Sequence, residues 1–167
     1  MVQVVLNRVR HPAFPKSVCG VVFQGSERST GCQFTFTCDG ALRRVPSAAA
    51  WGRARDVARQ ALTGSVYRKV GVATHYHTDW VVPYWSESLL KLTAVRTHLF
   101  FRWPGSWGSR AALTGRHTGA EPGIGKLAFL SPVHAAGSDG NALALDAVPA
   151  GPDAPFALAR SGFRQIL

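Results

Sequence analysis

Val2, Val5, Leu6 and Val9 recur at the spacing of one helical face, with Asn7, Arg8 and Arg10 largely off it. His11-Pro12 ends that pattern, because a residue before proline avoids helical dihedrals. No Ser, Thr, Asp or Asn precedes the periodic segment to cap it, so it reads as the second half of a longer helix. Ser17 is placed to cap a short helical turn running through Val22, and 25–31 reads as a polar loop. Residues 33–38 alternate apolar and polar with β-formers and close on Asp39-Gly40, which predicts a short strand or extended segment. The clearest helix runs from Ser47 to Thr63. Trp51, Ala54, Val57, Ala58, Ala61 and Leu62 line its apolar face, Ser47 caps its start and Gly64 stops its end. Val70 to Thr78 and Leu92 to Trp103 are predicted as strands, with Trp80 to Trp85 an aromatic loop between them. The pattern implies an α+β class, helices packed on a small antiparallel sheet.

The chain has 167 residues, and 46% of them are hydrophobic, enough for one domain with a real core. Composition shifts after Trp107: residues 105–167 hold ten of the 17 glycines, and prolines stand at 149, 152 and 155. Residues 1–107 are therefore read as the domain, and 108–167 as a Gly/Pro/Ala-rich tail, partly disordered or loosely packed. Nineteen Lys and Arg against nine Asp and Glu give a net charge of +10. That field favours polyanions: nucleic acid, an anionic membrane or the bacterial envelope. No nucleic-acid-binding motif accompanies the scattered arginines, so nucleic acid is not expected as a partner. No stretch is long and apolar enough to span a bilayer, and the first residues, with arginines after a short apolar run, are not expected to act as an export signal. Cys19, Cys32 and Cys38 lie within twenty residues, which suggests a disulfide and leaves one thiol over. The spacing leaves the pairing open and lacks the paired CxxC element expected of a zinc site.

Nine carboxylates are present, and glycoside cleavage needs at least one kept protonated by apolar surroundings. Asp39 reads as a turn residue and Asp56 as an ion pair with Arg59. Glu27 and Glu87 fall in polar turns, and Asp139, Asp146 and Asp153 in the tail. The densest constellation is Thr74-His75-Tyr76-His77-Thr78-Asp79-Trp80 with Pro83-Tyr84-Trp85. In a strand His75, His77 and Asp79 share a face and could grip a metal. Trp80, Tyr84 and Trp85 suit stacking on sugar rings, or two of them belong to the core. No nucleophile elbow or phosphate loop occurs, and no cofactor is expected.

The string Val4-Val5-Leu6-Asn7-Arg8-Val9, then His11-Pro12-x-Phe14-Pro15 and Val18 to Gln24, resembles the signature of SleB/CwlJ-type cell-wall hydrolases. Phe34 to Gly40, the Ala-rich helix to Gly64, the His75-Tyr76-His77 strand and Lys91 to Trp103 follow in the same order, covering roughly residues 2–105. The resemblance implies a lysozyme-like α+β domain that needs no metal. It implies cleavage of peptidoglycan between N-acetylmuramic acid and N-acetylglucosamine as a lytic transglycosylase, in the cell envelope, periplasmic or secreted. In the family one glutamate serves as acid and then as base, from a Glu-Ala-x-x-Glu segment on the helix before the Val-Leu-Asn-Arg string. No residue here matches it, so no catalytic residue is carried over. The chain is expected to lack its first helix and to be impaired in cleavage; the alternative is a non-catalytic peptidoglycan-binding module. By position Gln33, Phe34, Tyr76, His77 and Trp85 are expected to contact glycan, His77 standing where relatives often carry an aromatic ring.

Overall fold

A computed structural model describes residues 1–26, 32–118 and 121. Three helices, α1 (Val2–Arg10), α2 (Val18–Val22) and α3 (Ala48–Leu62), accompany a sheet of β1 (His75–Thr78), β2 (Leu90–Val95) and β3 (His98–Arg102). The fold is α+β. The expected polar loop around Glu27 and the tail beyond Glu121 lie outside the described residues.

Helix α1 ends at His11, whose extended backbone leads into Pro12. Of the expected Val2-Val5-Leu6-Val9 stripe only Val9 is fully buried, with Val5 half-buried against the same cluster. Gln3, Val4, Asn7 and Arg8 face inward beside them, and Asn7 and Arg8 are almost wholly enclosed. The reason is the chain before β1, whose carbonyls need donors that hydrophobic residues cannot supply. Asn7 Nδ2 donates to the carbonyls of Gly71 and Ala73, both at 2.8 Å. Gln3 Nε2 donates to Asn7 Oδ1 at 2.9 Å, and Arg8 Nε to the Thr74 carbonyl at 2.5 Å. One polar edge of α1 thus fixes the approach to β1.

The short helix α2 starts as expected, with the Gly20 N–H donating to Ser17 Oγ at 3.2 Å. The extended segment expected over Gln33–Cys38 is instead a 3-10 turn at Thr35–Thr37, followed by another at Ala41–Arg43. The Cys32–Cys38 disulfide closes this loop, and Thr37 Oγ1 donates to the Phe34 carbonyl at 2.7 Å. With its ends tied, three alternating pairs are too few to hold a strand. Cys19 is the free thiol. In α3 the Ala50 N–H donates to Ser47 Oγ at 3.3 Å, and Gly64 beyond its end adopts φ +98°, as its cap and stop residues require. None of its residues is buried.

The sheet is antiparallel in the order β1-β3-β2, with His75 opposite Phe101 and Val95 opposite His98. The expected strand from Val70 shortens to His75, because 67–72 turn back through Gly71 at φ +52°. The expected single strand to Trp103 is a hairpin, reversing at Arg96 and Thr97 with Arg96 at φ +54°. A bulge interrupts β2 between Lys91 and Thr93. Three small apolar clusters make the core: Val4, Val70, Ala73 and Phe100; Val9, Val21 and Phe34; Trp85, Leu89 and Phe101.

The chain stays on this body past residue 107. The Gly115 N–H donates to the Arg10 carbonyl at 2.6 Å and the Thr118 N–H to that of Lys16 at 3.0 Å. Glu121 accepts from the backbone N–H of Val18 and Cys19 at 3.0 and 2.7 Å, tying the strap to the start of α2.

Candidate functional site

Strand β1 divides the expected site. Alternation turns His75 and His77 to one face and Tyr76 and Thr78 to the other. On the first side His77 stacks on Phe101 at 4.9 Å between ring centroids and meets the Trp85 ring edge-on at 5.6 Å. His75 lies 5.3 Å from the Trp85 ring and 5.1 Å from that of Trp103. His75, Tyr84, Trp85, Ser88, Leu89 and Trp103 line a half-open pocket of about 260 Å³. On the second side Tyr76 packs between Phe34 at 6.1 Å and Phe100 at 5.9 Å. Its hydroxyl points at Met1 Sδ, 2.8 Å away.

Four of the five expected contact residues therefore fall into two groups: Phe34 and Tyr76 on the Tyr76 side, His77 and Trp85 on the cavity side. Gln33 precedes Phe34 in the chain, its backbone N–H donating to the Gln24 carbonyl at 2.9 Å. Phe34, His77 and Trp85 are buried, with their faces used in packing. The rings open to solvent are Trp80, 70% exposed, and Tyr84, 59% exposed, on the loop that follows β1. Trp85, by contrast, is buried and lines the pocket beside His75.

The metal alternative finds no geometry. His75 and His77 share a face as the strand requires, but Asp79 is exposed in the turn beyond it. Among the described residues no group of three or more His, Cys, Asp or Glu side chains converges on a cation site.

Between the two faces runs a line of buried nitrogen groups that the hydrophobic pattern does not reveal. The Arg8 guanidinium lies 4.9 Å from the Phe14 ring and 5.5 Å from that of Phe34. Burial brings it down to about 10, offset in part by Tyr76, so it stays charged at neutral pH. Its Nη1 has no hydrogen-bond partner among the described residues; neither do His77 Nε2 and Trp103 Nε1. His11 is neutral by its bonds: Nε2–H donates to the Trp107 carbonyl at 3.0 Å, and Nδ1 accepts from the Ala13 N–H at 3.2 Å. Burial holds His11 below its ordinary value, against the pull of the Trp107 carbonyl. Burial, then the nearby Arg8 guanidinium, holds His75 well below its ordinary value.

The described acids offer no proton donor of the kind that glycoside cleavage needs. Asp39, Asp56, Asp79, Glu87 and Glu121 are all exposed. Asp39 accepts from the Ala41 N–H at 2.8 Å, a turn role, and Asp56 pairs with Arg59 at 3.0 Å. Burial pushes the Glu121 carboxyl up, but hydrogen bonds from His117, Cys19 and Val18 outweigh it and hold the group below its ordinary value. Glu27, Asp139, Asp146 and Asp153 lie outside the described residues.

A model of the cell wall hydrolase family matches residues 1–101. The chain is similar to the catalytic domain of the Bacillus cereus SleB protein: 25% identity, 60% of this chain and 70% of that one covered, TM-score 0.47. It is also similar to the catalytic domain of the germination-specific lytic transglycosylase SleB from Bacillus anthracis: 25% identity, 60% and 74% covered, TM-score 0.48. No curated protein matches it.

Proposed function

We propose, from the premise that this chain belongs to the cell wall hydrolase family, that it acts on the glycan strands of peptidoglycan in the cell envelope. The family match across residues 1–101 carries the reading. The bond addressed is the one between N-acetylmuramic acid and N-acetylglucosamine, opened as by a lytic transglycosylase. In that reaction a carboxylic acid protonates the glycosidic oxygen, and its carboxylate then takes the proton of the muramic C6 hydroxyl. The C6 oxygen closes on C1, so no water and no metal enter the bond-breaking step. The described residues supply binding and shape. Gln33, Phe34, Tyr76, His77 and Trp85 contact glycan, Gln33 through an acetamido group and Tyr76 and Trp85 through their rings, and the exposed rings of Trp80 and Tyr84 extend that surface along the loop after β1.

One observation favours a second reading, a peptidoglycan-binding module impaired in cleavage: every described carboxyl is exposed. None has the apolar cradle that would keep it protonated near neutral pH. Incubation with purified sacculi separates the two. Release of 1,6-anhydro-muropeptides supports lytic action. Retention on sacculi at physiological salt without release supports the binding module. Neither release nor retention overturns both.

A further inference from the structure

The half-open pocket beside His75 has an uncharged lining: no Lys, Arg, Asp or Glu is among its six residues. His75, Trp85 and Leu89 are buried in its wall, whereas Tyr84 and Ser88, both exposed, stand at its mouth. Burial and the nearby Arg8 keep the His75 imidazole neutral, and its Nδ1 pairs with Thr74 Oγ1 at 3.0 Å. Ser88 Oγ donates to the Trp85 carbonyl at 2.7 Å. Trp103 differs from these. Its Nε1 is closed off from bulk water and meets no acceptor among the described residues. An indole N–H can only donate, and a buried donor left unmet is destabilising. The pocket thus calls for an uncharged group with an apolar body and a carbonyl-type acceptor.

We propose that this pocket is a subsite for the acetamido group of an N-acetylated sugar. The methyl enters among Trp85, Leu89 and His75, the carbonyl oxygen accepts from Trp103 Nε1–H, and the sugar ring rests on Tyr84 at the mouth. The proposal rests on the glycan reading and adds to it a preference for acetylated strands. Other occupants satisfy the lining less well. A carboxylate or phosphate would accept from Trp103 but bring a charge into a lining with no cation to pair it. An ammonium would find aromatic faces, but its protons meet an N–H that only donates, and it enters beside the charge of Arg8. A hydrocarbon would fill the space and leave the indole N–H unmet.

The test is fluorescence titration of the whole chain with two uncharged β-1,4-linked tetramers, one of N-acetylglucosamine and one of glucose. Glucose carries a hydroxyl where the other sugar has its acetamido group. The acetylated tetramer is expected to bind at least about tenfold more tightly. Its addition should shift one indole N–H resonance of the ¹⁵N-labelled chain, the one that Trp103→Phe removes. Trp103→Phe keeps a ring in place without the donor. It should cut the preference about fivefold and leave binding of the glucose tetramer unchanged. If circular dichroism shows that this variant misfolds, Ser88→Leu, which fills the mouth, replaces it with a similar expected loss. Equal binding of the two tetramers overturns the proposal. A preference undiminished in the variant also overturns it, and places acetyl recognition elsewhere, for instance at Gln33. Failure of both tetramers to bind overturns it too; retention on sacculi then leaves the glycan reading standing, and lack of retention removes both.

Discussion

Asn7 and Arg8 do work that the surrounding valines cannot. Two carbonyls, those of Gly71 and Ala73, depend on one amide group, and Gln3 holds that amide in orientation. Removing it with Asn7→Ala leaves backbone acceptors without their donor beneath the helix. We expect a loss of about 3 kcal/mol, read as a lower urea midpoint at unchanged slope. A loss below about 1 kcal/mol would mean that water replaces the amide. The buried imidazoles give a second expectation. Burial holds His11 and His75 below the ordinary 6.5, so the unfolded chain binds protons that the folded chain refuses. Stability is full above about pH 6.5 and falls as pH drops through that value towards the depressed folded values. The thermal midpoint should fall between pH 7 and pH 5, and His75→Phe should flatten the fall. An unchanged slope in that variant would assign the effect elsewhere.

At the scale of elements, local periodicity was a good guide where a helix is long and capped. The span of α3 is legible because Ser47, six spaced apolar residues and Gly64 all point to the same helix. Helix α1 is legible as an element but not in its orientation. A hydrophobic count turns Val2 and Leu6 inward, whereas the unmet carbonyls of 71–74 draw in the polar edge. No local signal announces that demand, since the acceptors are more than sixty residues away. The 33–38 segment fails for a related reason: its alternation is strand-like, but the Cys32–Cys38 bridge, which spacing alone left open, ties it into a turn. Candidate residues on β1 were visible as a cluster. Their division between two faces separates Tyr76 from His77, and the pattern does not show that Trp80 and Tyr84 are the rings most exposed to solvent. The bridge has a measurable consequence. Opening a loop of this size restores chain freedom worth about 2 kcal/mol. Reduction by a mild thiol reagent should lower the thermal midpoint and speed hydrogen exchange around Thr35–Thr37, leaving the β2–β3 hairpin protected. Uniform loss of protection would show that the bridge supports the whole body.

For the molecule as a whole, the segment beyond β3 is a brace. It returns across Arg10 and Lys16 and places Glu121 on the first amides of α2, although the family match ends at residue 101. Gly108 and Gly115 allow that return, because a Cβ at either would crowd backbone, the Trp103 carbonyl at the first and the Arg10 carbonyl at the second. The brace also bears on the chemistry of the odd cysteine. Burial, and after it the carboxylate of Glu121, pushes the Cys19 thiol up to about 11. Against an ordinary 9.0, that leaves about a hundredfold less thiolate at neutral pH. We expect iodoacetamide to alkylate Cys19 slowly in the folded chain and several-fold faster in Glu121→Gln; equal rates would assign the inertness to burial alone. Attack on a sulfur–sulfur bond requires the thiolate, so the leftover cysteine is kept from scrambling the Cys32–Cys38 link. An unpaired thiol held in its protonated form is thus a slow exchange partner for any disulfide it meets.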